Sequence, residues 1–181
     1  MESFPILETD RLRLRQIVES DAEDLYSFRS DAEAERFNGG PMKSMADSIK
    51  LIGELEKGFE EGTGLHWGLT ILGREDRIVG LFGFSHTARL HHRSEVGYDL
   101  ARPFWGNGYA FEAMQAILQF GFSKMDLNRI YAVPYTANLR SMKLLDRLGF
   151  TLEGIHRQEH LLDGKFYDES IYSLLRTEFN W

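Results

Sequence analysis

Residues 94–113, which read SEVGYDLARPFWGNGYAFEA, restrict the fold of this chain more than any other segment. A strand pattern over Ser94–Leu100 runs into the glycine-rich turn Trp105–Ala110, and an amphipathic helix pattern begins at Ala110. A strand, a glycine turn and a helix in this order place free backbone N–H groups and the positive end of a helix dipole at one point. Such a point binds anions, and we expect it to hold a phosphate or diphosphate group.

Two nucleotide-binding motifs that use a similar turn do not match this one. A Walker A loop ends in Gly-Lys-Ser/Thr, whereas Gly108 is followed by Tyr109 and Ala110, so no lysine can reach the phosphates. A dinucleotide fingerprint needs glycine or alanine at its sixth position, which is Phe111 when counted from Gly106. It also needs an acidic residue at the end of the next strand, and the next strand pattern ends without one.

The turn Trp105-Gly106-Asn107-Gly108-Tyr109-Ala110 resembles the Q/R-x-x-G-x-G/A signature of the GNAT superfamily of acyl-CoA-dependent N-acyltransferases, with tryptophan in the first position. The longer pattern W-G-x-G-Y-A-x-E-A is similar to the RimJ/RimL-like branch of ribosomal-protein alanine N-acetyltransferases. Three further segments resemble that branch in the same order, namely residues 8–15, Asn138–Ser141 and the L-G-F-x-x-E-G stretch of residues 148–154. The four matches together span almost the whole chain.

Composition limits the remaining classes of protein. The 181 residues are 43% apolar, which predicts one globular domain over residues 1–181, and no apolar run approaches the roughly 18 residues of a membrane span. We expect no signal peptide, because residues 1–5 lack an apolar region. The absence of cysteine excludes disulfides and a thiol nucleophile, and is compatible with the cytoplasmic location that we expect. A net charge of −7 argues against nucleic acid and would suit a cationic acceptor amine.

The periodicity along the chain predicts an α+β fold with a mixed, mostly antiparallel sheet flanked by helices. Ser20-Asp21 is predicted to cap a first helix, and a second helix is predicted to end at Gly62. Turns at Gly73-Arg74-Glu75-Asp76 and at Asp163-Gly164 each predict a hairpin. Strands are predicted at His66–Leu72, Ile78–Ser85, Ser94–Leu100, Arg129–Tyr135, Thr151–Leu162 and Phe166–Leu175, and a last helix at Asn138–Leu148. The resemblance, and not the periodicity, implies the splayed central strands of the GNAT fold.

The resemblance also implies how the chain would hold acetyl-CoA. The turn formed by Trp105, Gly106, Asn107, Gly108, Tyr109 and Ala110 is expected to bind the pyrophosphate, since its glycines permit close backbone approach. The strand end Leu100-Ala101 is expected to pair with the pantetheine arm through backbone hydrogen bonds. Asn138 is expected both to contact that arm and to cap the last helix. Ser141 is either the proton donor to the leaving thiolate or an ordinary third residue of that helix.

Three residues are candidates for the base that deprotonates the amine. Glu95 shares one strand face with Gly97 and Asp99 and could act through a water molecule, or it could be a solvated strand residue. In the RimL-like branch a carboxylate faces the acceptor from the penultimate strand, and its position corresponds here to His160, with Glu159 beside it. Because adjacent residues of a regular strand point to opposite faces, Glu159 and His160 cannot both act. The base is therefore Glu95, Glu159, His160 or a water molecule.

The segment His156–His160 also matches H-x-x-E-H, an inverted zinc-protease motif. That chemistry needs a helix, where residues i and i+4 meet on one face. In a regular strand the two imidazoles would lie about 13 Å apart, so we expect no metal site.

The sequence therefore predicts an acetyl-CoA-dependent N-acetyltransferase that transfers the acetyl group directly to a primary amine. The acceptor is a protein N-terminus, a polyamine or another small amine, and the pattern does not choose among them. A non-catalytic acyl-CoA-binding sensor module is the alternative. We expect no nucleic-acid or membrane partner, no metal, and a monomer or a homodimer.

Overall fold

A computed structural model describes residues 3–74, 77–162 and 164–180 of the chain. The strands, numbered in chain order, are β1 Leu7–Glu8, β2 Leu12–Arg15, β3 Leu65–Ile71, β4 Gly80–Ala88, β5 Arg93–Leu100, β6 Arg129–Ala132, β7 Thr151–Leu162 and β8 Lys165–Leu175. The helices are α1 Ala22–Arg29, α2 Met45–Glu61, α3 Tyr109–Ser123 and α4 Leu139–Arg147.

The eight strands form one sheet in the order β1-β2-β3-β4-β5-β6-β8-β7. Every pair of neighbours is antiparallel except β5 and β6, which run parallel. The predicted α+β fold with a mixed, mostly antiparallel sheet is confirmed. A parallel pair needs a long crossover connection, and here α3 supplies it, because it lies between β5 and β6 in the chain.

Two buried clusters lie on opposite faces of this sheet. The larger cluster joins α3 and α4 to the sheet and includes Phe82, Phe84 and Met114. The smaller cluster joins α1 and α2 to the sheet and includes Leu25 and Leu81. Since Leu81 and Phe82 are consecutive residues of β4, their side chains point to opposite faces. The sheet therefore has an α3/α4 face and an α1/α2 face.

Local signals placed most element ends correctly. Gly62 adopts the left-handed conformation that ends α2, at φ +69°, and Gly149 does the same after α4, at φ +85°. Asp21 lies at the N-cap position of α1, as predicted, but its side chain makes no capping hydrogen bond to that helix. The Asp21 carboxylate instead binds Arg15 and accepts the Val18 N–H.

The predicted strand Arg129–Tyr135 is also too long, since β6 ends at Ala132. Its continuation at residues 134–136 pairs only with β8, through the Ser170 N–H to the Pro134 carbonyl and the Thr136 N–H to the Asp168 carbonyl. Of the two predicted hairpin turns, Glu75, Asp76 and Asp163 lie outside the described residues, whereas the strands on either side of both turns pair as predicted.

Candidate active site

The glycine turn that precedes α3 contains two backbone conformations that only glycine adopts readily. Gly106 has φ +77° and Gly108, the N-cap residue of α3, has φ +80°. Gly108 has no side chain that could cap α3, so the first N–H groups of the helix lack that partner and can bind a ligand. A Cβ atom built on Gly106 meets no atom within 4 Å, which shows open space beside the backbone there. The turn therefore has the geometry of an anion site at a helix N-terminus.

Side chains of the turn itself hold its shape. The Trp105 Nε1–H donates to the Leu100 carbonyl at 2.7 Å. The Asn107 amide donates to the Phe104 and Trp105 carbonyls at 3.2 and 3.1 Å. The guanidinium of Arg140, in the first turn of α4, lies 4.5 Å from the centre of a Trp105 ring. Trp105 and Asn107 thus act on the turn through its conformation, and Arg140 adds a positive charge beside it.

Arg11 ties the same turn to the N-terminal strands. It donates to the Asn107 carbonyl at 3.1 Å and to the Glu112 carboxylate at 2.7 Å, and its guanidinium covers the Tyr109 ring. Burial raises the pKa of Glu112, but hydrogen bonds from Thr9 and Arg11 outweigh this and leave that pKa below its ordinary value. Glu112 is therefore an anion that anchors α3; it is the glutamate of the W-G-x-G-Y-A-x-E-A pattern, for which the sequence indicated no role.

An open seam separates the two parallel strands next to this turn. β5 and β6 pair only from Arg93 to Glu95 on β5, opposite Arg129 to Tyr131 on β6. Beyond that point β5 continues to Leu100 without pairing with β6, and Gly97 is exposed although β5 is an inner strand. We call the gap between residues 96–100 and 132–136 the open seam.

The two residues predicted to hold a pantetheine arm differ in orientation. The Ala101 N–H donates to the Val79 carbonyl at 2.8 Å, so its backbone faces β4. Backbone groups alternate in direction along an antiparallel strand, so the backbone of Leu100 faces the open seam. Of the pair Leu100-Ala101, only Leu100 offers backbone groups to the seam, and its carbonyl already accepts the Trp105 indole.

Asn138 and Ser141 lie on the α3/α4 face of the seam. The Asn138 Oδ1 accepts the Ser141 N–H at 3.2 Å, which confirms the predicted helix cap. The Ser141 hydroxyl oxygen is free of that cap, and it accepts a hydrogen bond from the Tyr98 hydroxyl at 3.2 Å. The Tyr98 ring stacks on Phe82, and burial raises the pKa of Tyr98 to about 12. Two hydroxyl groups therefore meet at one point beside the seam.

On the α1/α2 face, the side chains of Glu95 and Asp99 lie at opposite ends of the β5 edge of the seam. Glu95 binds His86 at 2.9 Å and is partly exposed. Asp99 is held by Arg29 at 2.5 Å and by the Asn38 amide. Burial raises the pKa of Asp99, although Arg29 opposes the shift. Glu95 is thus accessible to a substrate, whereas Asp99 is bound to the connection between α1 and α2.

His160 and Glu159 lie on β7, which confirms that His156–His160 is a strand segment. The pairing register shifts between His156 and His160. His156 pairs with Glu169 and His160 pairs with Tyr167, so four residues along β7 correspond to only two along β8. The bulge invalidates the regular spacing of about 13 Å and also the strict alternation between Glu159 and His160. The His160 Nε2 lies 2.7 Å from the carboxylate of Glu169, a residue that belongs to none of the motifs found in the sequence.

A cluster of aromatic side chains lies beside this histidine and contacts it through Tyr135. The Tyr135 ring centre lies 5.5 Å from that of His160, 5.7 Å from Tyr167 and 6.0 Å from Phe37. Phe37 belongs to the connection between α1 and α2, and its neighbour Asn38 binds Asp99 at the end of β5. This connection therefore crosses the open seam from the β5 side to the β6 side.

Among residues 3–74, 77–162 and 164–180, no group of three or more histidine, cysteine, aspartate or glutamate side chains could hold a metal ion. Within the same part of the chain, no helix is both long enough and apolar enough to span a membrane.

A family model described as an acetyltransferase (GNAT) domain matches residues 11–151. An uncharacterized N-acetyltransferase of Bacillus subtilis, YoaA, is 39% identical over 96% of this chain and 98% of its own. The ribosomal protein uS5-alanine N-acetyltransferase of Escherichia coli is 28% identical over 96% of this chain and 92% of its own. The solved structure of RimL, the ribosomal L7/L12 alpha-N-protein acetyltransferase in complex with coenzyme A, superimposes with a TM-score of 0.87 at 21% identity, covering 94% of this chain and 98% of that one. This last likeness establishes the fold alone.

Proposed function

The chain belongs to the GNAT acetyltransferase family, and on this premise we propose that it transfers the acetyl group of acetyl-CoA directly to a primary amine. One observation carries the proposal. The open seam in the sheet has the uncapped start of α3 at one end and the Tyr98–Ser141 hydroxyl pair beside it. The proposed enzyme comprises the whole chain, residues 1–181, as one domain.

The residues around the seam fit acetyl-CoA, which supplies the acetyl thioester when it is bound. The backbone N–H groups from Gly106 to Ala110 would bind the pyrophosphate, because the two left-handed glycines expose them. The backbone of Leu100 would face the pantetheine arm along the seam. Asn138 uses its carbonyl oxygen as the helix cap, which leaves its amide N–H groups to donate to the same arm.

Ser141 would give its proton to the sulfur as the C–S bond breaks. A serine hydroxyl is a weak acid, so it serves only where the proton passes directly to a developing thiolate. The hydrogen bond from Tyr98 supports this role, because it stabilises the serine oxygen as negative charge develops there. The chain has no cysteine that could form a thiol acyl-enzyme, so the amine would attack the thioester itself.

The base would lie on the α1/α2 face, where Glu95, Glu159 and His160 are the candidates. Glu95 is bound to His86, and its carboxylate lies on the β5 side of the seam. His160 is bound to a buried carboxylate on the β8 side. These contacts favour His160, whose ring keeps one nitrogen for the amine.

The acceptor would be a protein N-terminus, with a polyamine or another small amine as the alternative. The relative from Escherichia coli that is 28% identical to this chain is named as an N-acetyltransferase of an alanine of ribosomal protein uS5. This relative supports a peptide acceptor and a cytoplasmic enzyme.

Release of free coenzyme A thiol from acetyl-CoA tests the proposal. The acceptor panel contains an alanine-terminated peptide, the same peptide already N-acetylated, spermidine, and no amine. We expect release that depends on a free amine, together with the acetylated product by mass spectrometry. Binding of acetyl-CoA without amine-dependent release by any acceptor would instead identify a non-catalytic sensor.

A further inference from the structure

Glu169 is a buried carboxylate beside the proposed site, and no sequence motif contains it. Its exposed fraction is 8%, and its Oε1 lies 2.7 Å from the Nε2 of His160. An ionised carboxylate in that position accepts the Nε2–H and leaves the lone pair on Nδ1. The Nδ1 atom is therefore the one that could take a proton from a substrate, as in other carboxylate–histidine pairs.

The β-bulge in β7 creates this pair. Gln158 has a positive φ of +56°, and its N–H donates to the Asp168 carboxylate at 2.8 Å instead of to a β8 carbonyl. The extra residues place His160 opposite Tyr167. Its ring lies against Glu169, which is two residues further along β8 and on the same α1/α2 face. Bulges re-aim side chains in this way, and they are common next to active sites.

The surroundings of the pair are aromatic and acidic. Tyr135, Tyr167 and Phe37 lie within ring-contact distance of one another or of His160, at the β6 side of the open seam. The titratable groups that face Glu169 are His160, His156 and Glu159 from β7, and Glu95 from β5. Aromatic faces and carboxylates together attract a cation and repel an anion.

We propose, on the basis of the acetyltransferase function above, that Glu169 is a positioning residue that holds His160 as the base in an aromatic-walled site for a primary ammonium group. The ammonium enters between the rings and passes one proton to the His160 Nδ1. The amine nitrogen then forms the N–C bond to the acetyl carbon while the C–S bond breaks, and the sulfur takes a proton from Ser141. The nitrogen then loses its second proton, which restores the Ser141 hydroxyl group through solvent, and His160 releases the first proton to solvent.

The pH dependence of the reaction reports on this pair. Burial raises the pKa of Glu169, and the charge of His160 opposes that shift. A carboxylate beside an imidazole stabilises the imidazolium form, and a neutral amide does not. In Glu169→Gln the acidic limb of the kcat/KM profile should therefore move to lower pH.

The experiment measures kcat/KM for the best amine from pH 5 to 9 in the wild type, Glu169→Gln, His160→Asn and His91→Asn. We expect at least about a ten-fold fall in Glu169→Gln and a larger fall in His160→Asn. His91 is an exposed histidine in the connection between β4 and β5, so His91→Asn is the matched control and should keep the wild-type rate. The melting-temperature increase caused by acetyl-CoA should be the same in all four proteins, because the pair does not contact the cofactor turn.

Two outcomes overturn the proposal while leaving the enzyme function intact. One is a Glu169→Gln variant whose rate falls but whose acidic limb stays in place, which would show a purely structural role. The other is full activity in His160→Asn. A wild type that releases no thiol with any amine would instead overturn the acetyltransferase proposal, and this inference with it.

The aromatic walls have their own test in the acceptor KM. Tyr135→Leu should raise the KM for the amine several-fold and leave the KM for acetyl-CoA unchanged, whereas Tyr135→Phe, which keeps the ring, should stay close to the wild type. An unchanged amine KM in Tyr135→Leu would show that the acceptor does not bind between these rings.

Discussion

The hydroxyl group of Tyr98 donates a hydrogen bond to the Oγ of Ser141 across 3.2 Å, and so links the unpaired edge of β5 to the first turn of α4. The two residues are 43 positions apart in the chain. Their meeting point lies beside the open seam, where the sulfur of a thioester would leave. In the proposed mechanism, one hydroxyl group of this pair would donate the proton and the other would stabilise the donor.

Ser141→Ala should lower kcat by about ten-fold or more and leave acetyl-CoA affinity nearly unchanged, because a proton donor to the leaving group acts in the transition state. Its stability should change little, since the helix cap uses the Ser141 backbone N–H and the Asn138 side chain. Asn138→Ala is the matched variant and should lose about 0.5–2 kcal/mol of stability. Normal turnover in Ser141→Ala, measured with its melting temperature on one preparation, would remove this serine from the mechanism.

Tyr98→Phe should reduce kcat less than Ser141→Ala does. The substitution keeps the ring stacked on Phe82 and removes only the O–H group that supports Ser141. Since burial raises the pKa of Tyr98 to about 12, this phenol is a weak acid and stays protonated throughout the working range. A steady-state comparison of both variants decides the order, and a larger loss in Tyr98→Phe would make the tyrosine the proton donor.

Gly108→Val should weaken acetyl-CoA binding much more than it affects folding. A β-branched residue disfavours φ +80° and fills space beside the first turn of α3. Gly149→Val is the control. Gly149 has a similar φ of +85°, but it follows the C-terminal end of α4 and does not belong to the glycine turn. Titration calorimetry on both should show lost affinity in Gly108→Val alone. Equal affinities in the two variants would show that this turn is not the phosphate site.

Acetyl-CoA should raise the melting temperature of the wild type, whereas ATP and NAD should do much less. A ligand of the native state at 100 times its Kd stabilises that state by about 2.7 kcal/mol. The Gly108→Val protein should lose most of this increase. Comparable shifts with ATP or NAD at equal concentration would contradict the assignment to coenzyme A.

The stability of the protein should fall between about pH 4.5 and pH 8 because of Glu35. Burial, followed by the charge of Asp99, raises the pKa of Glu35 to about 8 from an ordinary 4.5, while Arg29 opposes the shift. The folded state then binds more protons than the unfolded state within this window, so its stabilisation is complete below pH 4.5 and is lost as the pH rises through 8. Glu35→Gln should flatten this part of the curve in urea unfolding. Glu54→Gln, at an exposed residue, should leave the curve unchanged. If Glu35→Gln also leaves the dependence of stability on pH unchanged, Glu35 is not protonated in the folded protein.

Much of the fold was predictable because its signals are local. The strand, the glycine turn and α3 follow from alternating and helical apolar spacing together with two glycines that adopt positive φ. The cap at Asn138 and the glycines after α2 and α4 were predicted for the same reason. The capping role of Asp21 was predicted from its residue type and its place in the sequence. In the structure Arg15 binds the Asp21 carboxylate, and this partner could not be predicted from local sequence.

The amino-acid sequence by itself determined the family, the α+β fold and the turn that begins α3, because each depends on residues close together in the chain or on motifs in a fixed order. Only the tertiary structure decided which side chains share a site. A bulge in β7 rotated His160 onto Glu169, and the divergence of β5 from β6 brought Tyr98 to Ser141. Such contacts depend on strand register and on the packing of distant elements, and a one-residue slip in pairing changes the face on which a side chain lies.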